Sequence, residues 1–375
     1  MADPSTATLE DATTTGARGG RSVFLEFALR ERNFLILLGL AFFVAGATYD
    51  TPQIAMWVGF AIAGYSAVAN DSIQTLGTFI ASNPKTPWWL MWLFVGGIFL
   101  LTVGYSWIAY DGDVSHQRLL AKGFETAPTS FQFLHVAAPI FLLILTRLRM
   151  PVSTTFLLLS CFATSGEGIM GVTLKSVSGY AIAFVVAGAI WLGLGPLMKR
   201  RFVGKAHPLW HFAQWGTAGA LWSVWLMQDA ANIAVYLPRS LSGMQFAAFA
   251  GVIFVGLGIL LWQGGEKVQA VVDEKADVVD VRAATTINLI YAAILYIFKV
   301  QSKVPMSTTW VFVGLLAGRE LAMALRNSGS EGRSLRFAAK LVLKDLFYVT
   351  IGFIVALTIA AAINPIVRDA LFAPQ

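Results

Sequence analysis

From Phe34 to Ile363 the chain is a succession of apolar runs, most of them about twenty residues long and so able to cross a hydrocarbon core of about 30 Å as helices. Stretches such as Phe34 to Ala45 and Ile351 to Ile363 are apolar on every side, whereas a membrane β-barrel alternates polar and apolar residues over short segments. Lipid offers no partner to an open backbone hydrogen bond, so helices are the fold these runs permit. Spans are expected at about 34–49, 53–82, 87–108, 130–148, 151–165, 179–198, 209–237, 245–263, 285–300, 305–325 and 342–363, not all of them crossing fully. The expected class is an all-α polytopic membrane protein. Composition agrees, with 57% of residues hydrophobic and 13% charged.

Several function classes fall away. Cys161 is the single cysteine, so no intramolecular disulfide forms and a packing role is expected for it. No Gly-x-Ser-x-Gly or His-Glu-x-x-His pattern occurs, no histidine adjoins a candidate nucleophile, and no phosphate-binding glycine loop is present. Neither an enzyme nor a nucleotide-driven pump is expected, and no cofactor. The net charge of +6 comes without a long basic run, so nucleic acid is not an expected partner; the bilayer is.

Inside the apolar sequence one polar device occurs twice. Pro151-Val152-Ser153-Thr154-Thr155 returns as Pro305-Met306-Ser307-Thr308-Thr309, and each is preceded at nearly the same distance by a carboxylate with amides: Asn70, Asp71 and Gln74, then Gln228, Asp229 and Asn232. Two copies of a polar device in a membrane chain point to a transporter.

With these phrases as fixed points, residues 1–32 read as a disordered cytoplasmic tail, 33–52 as an extra N-terminal transmembrane helix, 53–198 as repeat 1, 199–208 as a basic linker, 209–363 as repeat 2 and 364–375 as a C-terminal tail. The linker carries Lys199, Arg200, Arg201 and Lys205, which assigns it to the cytoplasm. The loop from Ser165 to Ser178 holds only Lys175, while its counterpart holds Arg326, Arg333, Arg336 and Lys340. Such asymmetry is what inverted repeats require. The N-terminus then lies inside and the C-terminus outside, in a plasma membrane or bacterial inner membrane.

Proline, with φ preset and no amide hydrogen, suits a first helical turn, so each Pro-x-Ser-Thr-Thr is expected to start a helix that is broken or re-entrant. A helix start offers unpaired N–H groups and partial positive charge, and Ser153, Thr154, Thr155, Ser307, Thr308 and Thr309 add hydroxyls around them. Two starts facing each other near the midplane would bridge a tetrahedral oxyanion. Asp71 and Asp229 are costly within a bilayer and, with the neighbouring amides, offer hard oxygen to Na⁺ or a site for H⁺.

These residues resemble the inorganic phosphate transporter (PiT) family, whose repeats look like Gly-x-Asn-Asp-x-x-Asn-x-x-Gly-Thr followed by Pro-x-Ser-Thr-Thr-His. Asn70, Asp71, Gln74, Gly77 and Thr78 fall in register with the first half-motif, and Gln228, Asp229 and Asn232 with the second, over roughly Gln53 to Ile363. The resemblance implies a symporter of inorganic phosphate coupled to Na⁺ or H⁺, with the Ser-Thr-Thr starts on the anion. Asn70, Asp71, Gln74, Thr78, Gln228, Asp229 and Asn232 fall to the coupling ion. This chain departs from the pattern at Phe156 and Trp310, where the family has histidine, at Gln74 and Gln228, and at Val235-Tyr236. Sulfate is therefore kept as an alternative anion, and a non-transporting anion-binding or regulatory membrane protein as an alternative class.

Other polar residues receive structural readings. His135 is expected to bond a neighbouring helix, and Arg319-Glu320, with Glu167 in a comparable place, to pair at the interface or gate. Gly264 to Arg282 reads as an amphipathic surface helix, with Lys267, Asp273, Glu274, Lys275, Asp277 and Asp280 among valines. Trp88, Trp89, Trp92, Trp107, Trp210 and Trp215 read as interfacial anchors. Small residues from Ala183 to Gly195 allow close helix contact, and a homodimer is compatible with them.

Overall fold

The computed structural model describes residues 29, 31–148, 150–164, 166–263, 280–297, 307–326 and 334–372; of these, the side chains of 72, 73, 166–172, 175 and 199 are not described. Most of the 1–32 tail, Arg333, Pro305 and Met306, the bulk of the amphipathic segment, and the side chains of Glu167 and Lys175 lie outside the described residues. All elements among the described residues are helical: α1 (Arg32–Thr48), α2 (Pro52–Thr75), α3 (Gly77–Ser82), α4 (Trp88–Ala109), α5 (Arg118–Ala121), α6 (Phe133–Arg147), α7 (Gly166–Arg201), α8 (Leu209–Ala234), α9 (Gly243–Trp262), α10 (Val281–Leu295), α11 (Thr308–Leu325), α12 (Leu335–Ile363) and α13 (Pro365–Phe372). Between α6 and α7 a wide π turn, Thr155–Leu159, runs into a tight one, Ser160–Phe162.

Among the described residues six stretches are long and apolar enough to cross a membrane: Pro52–Asp71, Trp88–Ala109, Ser176–Met198, Gly243–Trp262, Thr308–Leu325 and Leu335–Ile363. Their outward faces carry large apolar side chains, Leu101 and Ile108 each 75% exposed, a surface that water would drive to aggregate and lipid covers. The molecule is a membrane-embedded helical protein. α11 is the exception among the six, because nearly all of it is buried inside the molecule.

Packing sets that exception up. α11 lies against α7, and a Cβ added at Gly314 would stand 2.4 Å from the Tyr180 carbonyl oxygen, one added at Gly318 2.1 Å from that of Phe184. Only glycine permits this approach, and fully buried Ala183 and Ala187 keep α7 equally slim. At least part of the small-residue stretch thus serves contact within the chain. Elsewhere α2 packs on α6 and α8 on α10, α4 pairs with α9, and the short helix after Ser153 rests on α12.

Hydrogen bonds gather the loops into two groups. In one, Leu241 N donates to Gly112 O at 2.9 Å, Arg239 Nε to Phe124 O at 2.8 Å, Thr164 Oγ1 to Gly123 O at 3.2 Å, and Asn364 Nδ2 to Ala163 O at 2.8 Å. In the other, Gln214 Nε2 donates to Ser82 Oγ at 3.0 Å, Trp215 Nε1 to Asn83 Oδ1 at 3.1 Å and Arg282 Nη2 to Phe202 O at 2.8 Å. α8 begins beside the end of α3, and its far end joins the first group.

Trp92, Trp107 and Trp215 are half-buried ties, the first two donating their indole N–H to Phe254 O and Leu241 O at 2.8 and 2.7 Å, whereas Trp88 and Trp89 are exposed. The segment after Ile363 carries a short helix: α13 buries Val367, and Asn364 ahead of it caps Ile366 N at 3.0 Å.

Candidate functional site

Serine, not proline, opens each Ser-Thr-Thr helix. Ser307 is the N-cap of α11, with extended backbone (φ −71°, ψ 124°) and its Oγ accepting Trp310 N at 3.5 Å; Ser153 Oγ accepts Phe156 N at 3.4 Å. Pro151 therefore stands two residues ahead of the cap rather than in the first turn, and Pro305 lies outside the described residues. The first helix, ending at Phe162, is about 12 Å long at 1.5 Å per residue, too short to cross a hydrocarbon core by itself.

The two devices meet. Asp229 accepts Asn232 Nδ2 on Oδ1 at 2.8 Å and Thr308 Oγ1 on Oδ2 at 2.8 Å. The same Asn232 Nδ2 reaches across to Thr154 Oγ1 at 2.8 Å and Thr155 Oγ1 at 3.2 Å. Asn70 Nδ2 donates to Asp71 Oδ1 at 2.7 Å and to Val152 O at 2.8 Å, and Thr309 Oγ1 donates to that same carbonyl at 3.1 Å. These bonds form two buried groups, Thr154, Thr155, Asp229, Asn232 and Thr308 in one and Asn70, Asp71 and Thr309 around the Val152 carbonyl in the other, with buried Ser153 and Ser307 capping the helices that carry the hydroxyls.

Thr78 stands apart from the rest. The helix breaks at Leu76, and Thr78 Oγ1 donates to Asn288 Oδ1 of α10 at 2.6 Å. Sequence reasoning missed Asn288, Thr146, Ser176 and Tyr291. Thr146 Oγ1 donates to Asn70 Oδ1 at 3.4 Å, Ser176 Oγ accepts Ser307 N at 2.9 Å and Tyr291 Oη donates to Thr308 O at 3.3 Å. One signal was available: Asn288 is a lone amide inside an apolar run.

Several buried polar atoms have no partner among the described residues: both side-chain amide atoms of Gln74, Oε1 of Gln228, Oδ1 of Asn232 and Nδ2 of Asn288. Each such atom costs about 1–3 kcal/mol. Oxygen acceptors beside carboxylates suit a hard cation, and the hydroxyls of Thr154 and Thr155, which accept from Asn232, keep their own hydrogens for donation elsewhere. Where the family pattern has histidine, Phe156 and Trp310 meet the ring of Phe353 edge-on at 4.8 and 5.9 Å. Arg319 and Glu320 pair with each other at 3.0 Å, buried, toward the far end of α11 from Thr308. His135 Nδ1 accepts Gln132 N at 3.0 Å at the start of its own helix.

Compared with protein-family models, curated proteins and solved structures, the chain matches none.

Proposed function

We propose that this chain is a secondary active transporter that carries inorganic phosphate together with Na⁺ or H⁺ by alternating access between two inverted repeats. The observation that carries this reading is the continuous path from Thr154 through Asn232 and Asp229 to Thr308, which joins both copies of the device in one buried web. Inversion is supported by α8 beginning where α3 ends and finishing at the opposite loop group. The short helix after Ser153 and the cap at Ser307 support broken helices whose starts approach each other.

The coupling follows from competition for hydrogens. An unloaded Asp229 carboxylate holds the Thr308 hydroxyl; a cation on that carboxylate draws on the same oxygens and frees the hydroxyl to donate to an anion. Anion and cation then bind together because each removes a cost from the other. Sulfate is the second reading, favoured by the donor-directed hydroxyls of Thr154 and Thr155, which suit an anion without protons.

The test is uptake of phosphate and of sulfate into proteoliposomes under Na⁺ or H⁺ gradients. Gradient-driven accumulation of phosphate that is lost in Asp71→Asn and Asp229→Asn is the expected result. No accumulation of either anion under either gradient would sink the transport reading.

A further inference from the structure

The two copies of the carboxylate motif are occupied differently. In the second, Asn232, three residues after the carboxylate, bonds its own Asp229 and crosses to Thr154 and Thr155. In the first, the residue at the same offset is Gln74, 5% exposed, and both of its amide atoms lack a partner among the described residues. The residue before the carboxylate reverses this: Asn70 bonds Asp71 and Val152 O, while Gln228 is 1% exposed with its Oε1 unpartnered. Each copy therefore uses one of its two amide positions, and the copies use opposite ones.

We propose that Gln74 is the counterpart of Asn232 in the alternate access state. There Gln74 bonds Asp71 and crosses to Thr308 and Thr309, as Asn232 now bonds Asp229 and crosses to Thr154 and Thr155, while Thr154 turns to Asp71 as Thr308 now turns to Asp229. Gln74 is thus a positioning residue of the transport cycle, acting through Asp71 and the second hydroxyl triad. The proposal rests on the inverted-repeat reading, because in inverted repeats the second state arises when the halves exchange conformations. The reach is short: Thr309 and Asn70 already share the Val152 carbonyl, so the second triad lies within two hydrogen bonds of the Asn70–Asp71 pair, and Gln74 is one helical turn beyond. A pair of buried amide atoms without partners is also what a residue waiting for its contacts in another state displays.

Paired cysteines test this on the full chain in membranes, in a Cys161→Ser background with a protease site in the 199–208 linker. Asn232→Cys with Thr154→Cys reports the arrangement in the structure, and Gln74→Cys with Thr308→Cys reports the exchanged one. Cross-linking of both pairs under oxidation, read as half-chains that stay joined after cleavage, is the expected result. Linking of the first pair alone, or of neither, overturns the proposal, and this readout needs no transport, so it is separable from failure of the uptake assay. A second readout uses uncrosslinked protein: Gln74→Leu is expected to cut gradient-driven uptake at least about tenfold with anion affinity changed less than about threefold, and Gln74→Asn to restore it. Uptake by Gln74→Leu at the wild-type rate overturns the proposal as well.

Discussion

Asn232 and Thr154, which belong to different copies of the duplicated device, are joined by a hydrogen bond of 2.8 Å in the buried centre of the molecule. The same amide nitrogen holds Asp229, so this one side chain connects a carboxylate of one half to a hydroxyl of the other.

Replacing it should therefore cost the fold as well as the site. Asn232→Leu removes a bond to a carboxylate and two to hydroxyls, and stability is expected to fall by about 1.5–3 kcal/mol, the range for one hydrogen bond to a charged group. Thermal unfolding in detergent measures it. A melting temperature equal to that of the wild type would mean the web does not hold the halves together.

Asp229→Asn is expected to damage the web. Asp229 receives a hydroxyl and an amide, and an asparagine there presents an N–H₂ to one of those donors. Loss of gradient-driven uptake together with a fall in thermal stability is the expected pattern; a melting temperature equal to that of the wild type would refute it.

The α7–α11 seam gives a steric prediction. Gly318→Val forces a branched side chain into a gap where even a Cβ stands 2.1 Å from a backbone oxygen, and should cost at least about 1–3 kcal/mol and folded yield. Gly97→Ala, with nothing within 4 Å of the added atom, is the matched control and should be neutral. Normal yield of Gly318→Val would show that the helices can separate freely.

His116 predicts an acid-sensitive loop. It lies between α4 and α5 beside Asp113 and Arg118, and burial holds its pKa below the ordinary 6.5, with Asp113 opposing the shift. A depressed histidine contributes stability that is complete above its unfolded value of 6.5 and is lost as pH falls through the lower folded value. Hydrogen exchange across 110–126 should quicken on acidification, and His116→Phe should flatten that response. Exchange independent of pH in the wild type, after correction for intrinsic rates, would remove histidine from the account.

Much of the architecture is legible along the chain because lipid imposes one rule on every apolar run: the sequence reading put helices at 87–108, 245–263 and 305–325, and α4, α9 and α11 fall there within a few residues. The duplicated phrase likewise marked residues that the structure gathers, since Ser153 and Ser307 both cap helices and Asp229 meets Thr308. What escaped were partners fixed only by three-dimensional packing. The Val152 carbonyl carries no sequence signal as an acceptor, and Thr146, Ser176 and Tyr291 sit in no motif. Apolarity alone does not give the length of the short helix after Ser153, because its residues are as apolar as those of a span but are buried in protein.

The glycine seam also bears on how the molecule is assembled. The hydroxyl triad of the second half is cradled by α7, the closing helix of the first half, and the triad of the first half leans on α12, the closing helix of the second. Each half supplies the scaffold for the other's working part. The two are clasped like interlocked hands: cut at the 199–208 linker, each piece would lose a helix of the other against which its own triad rests.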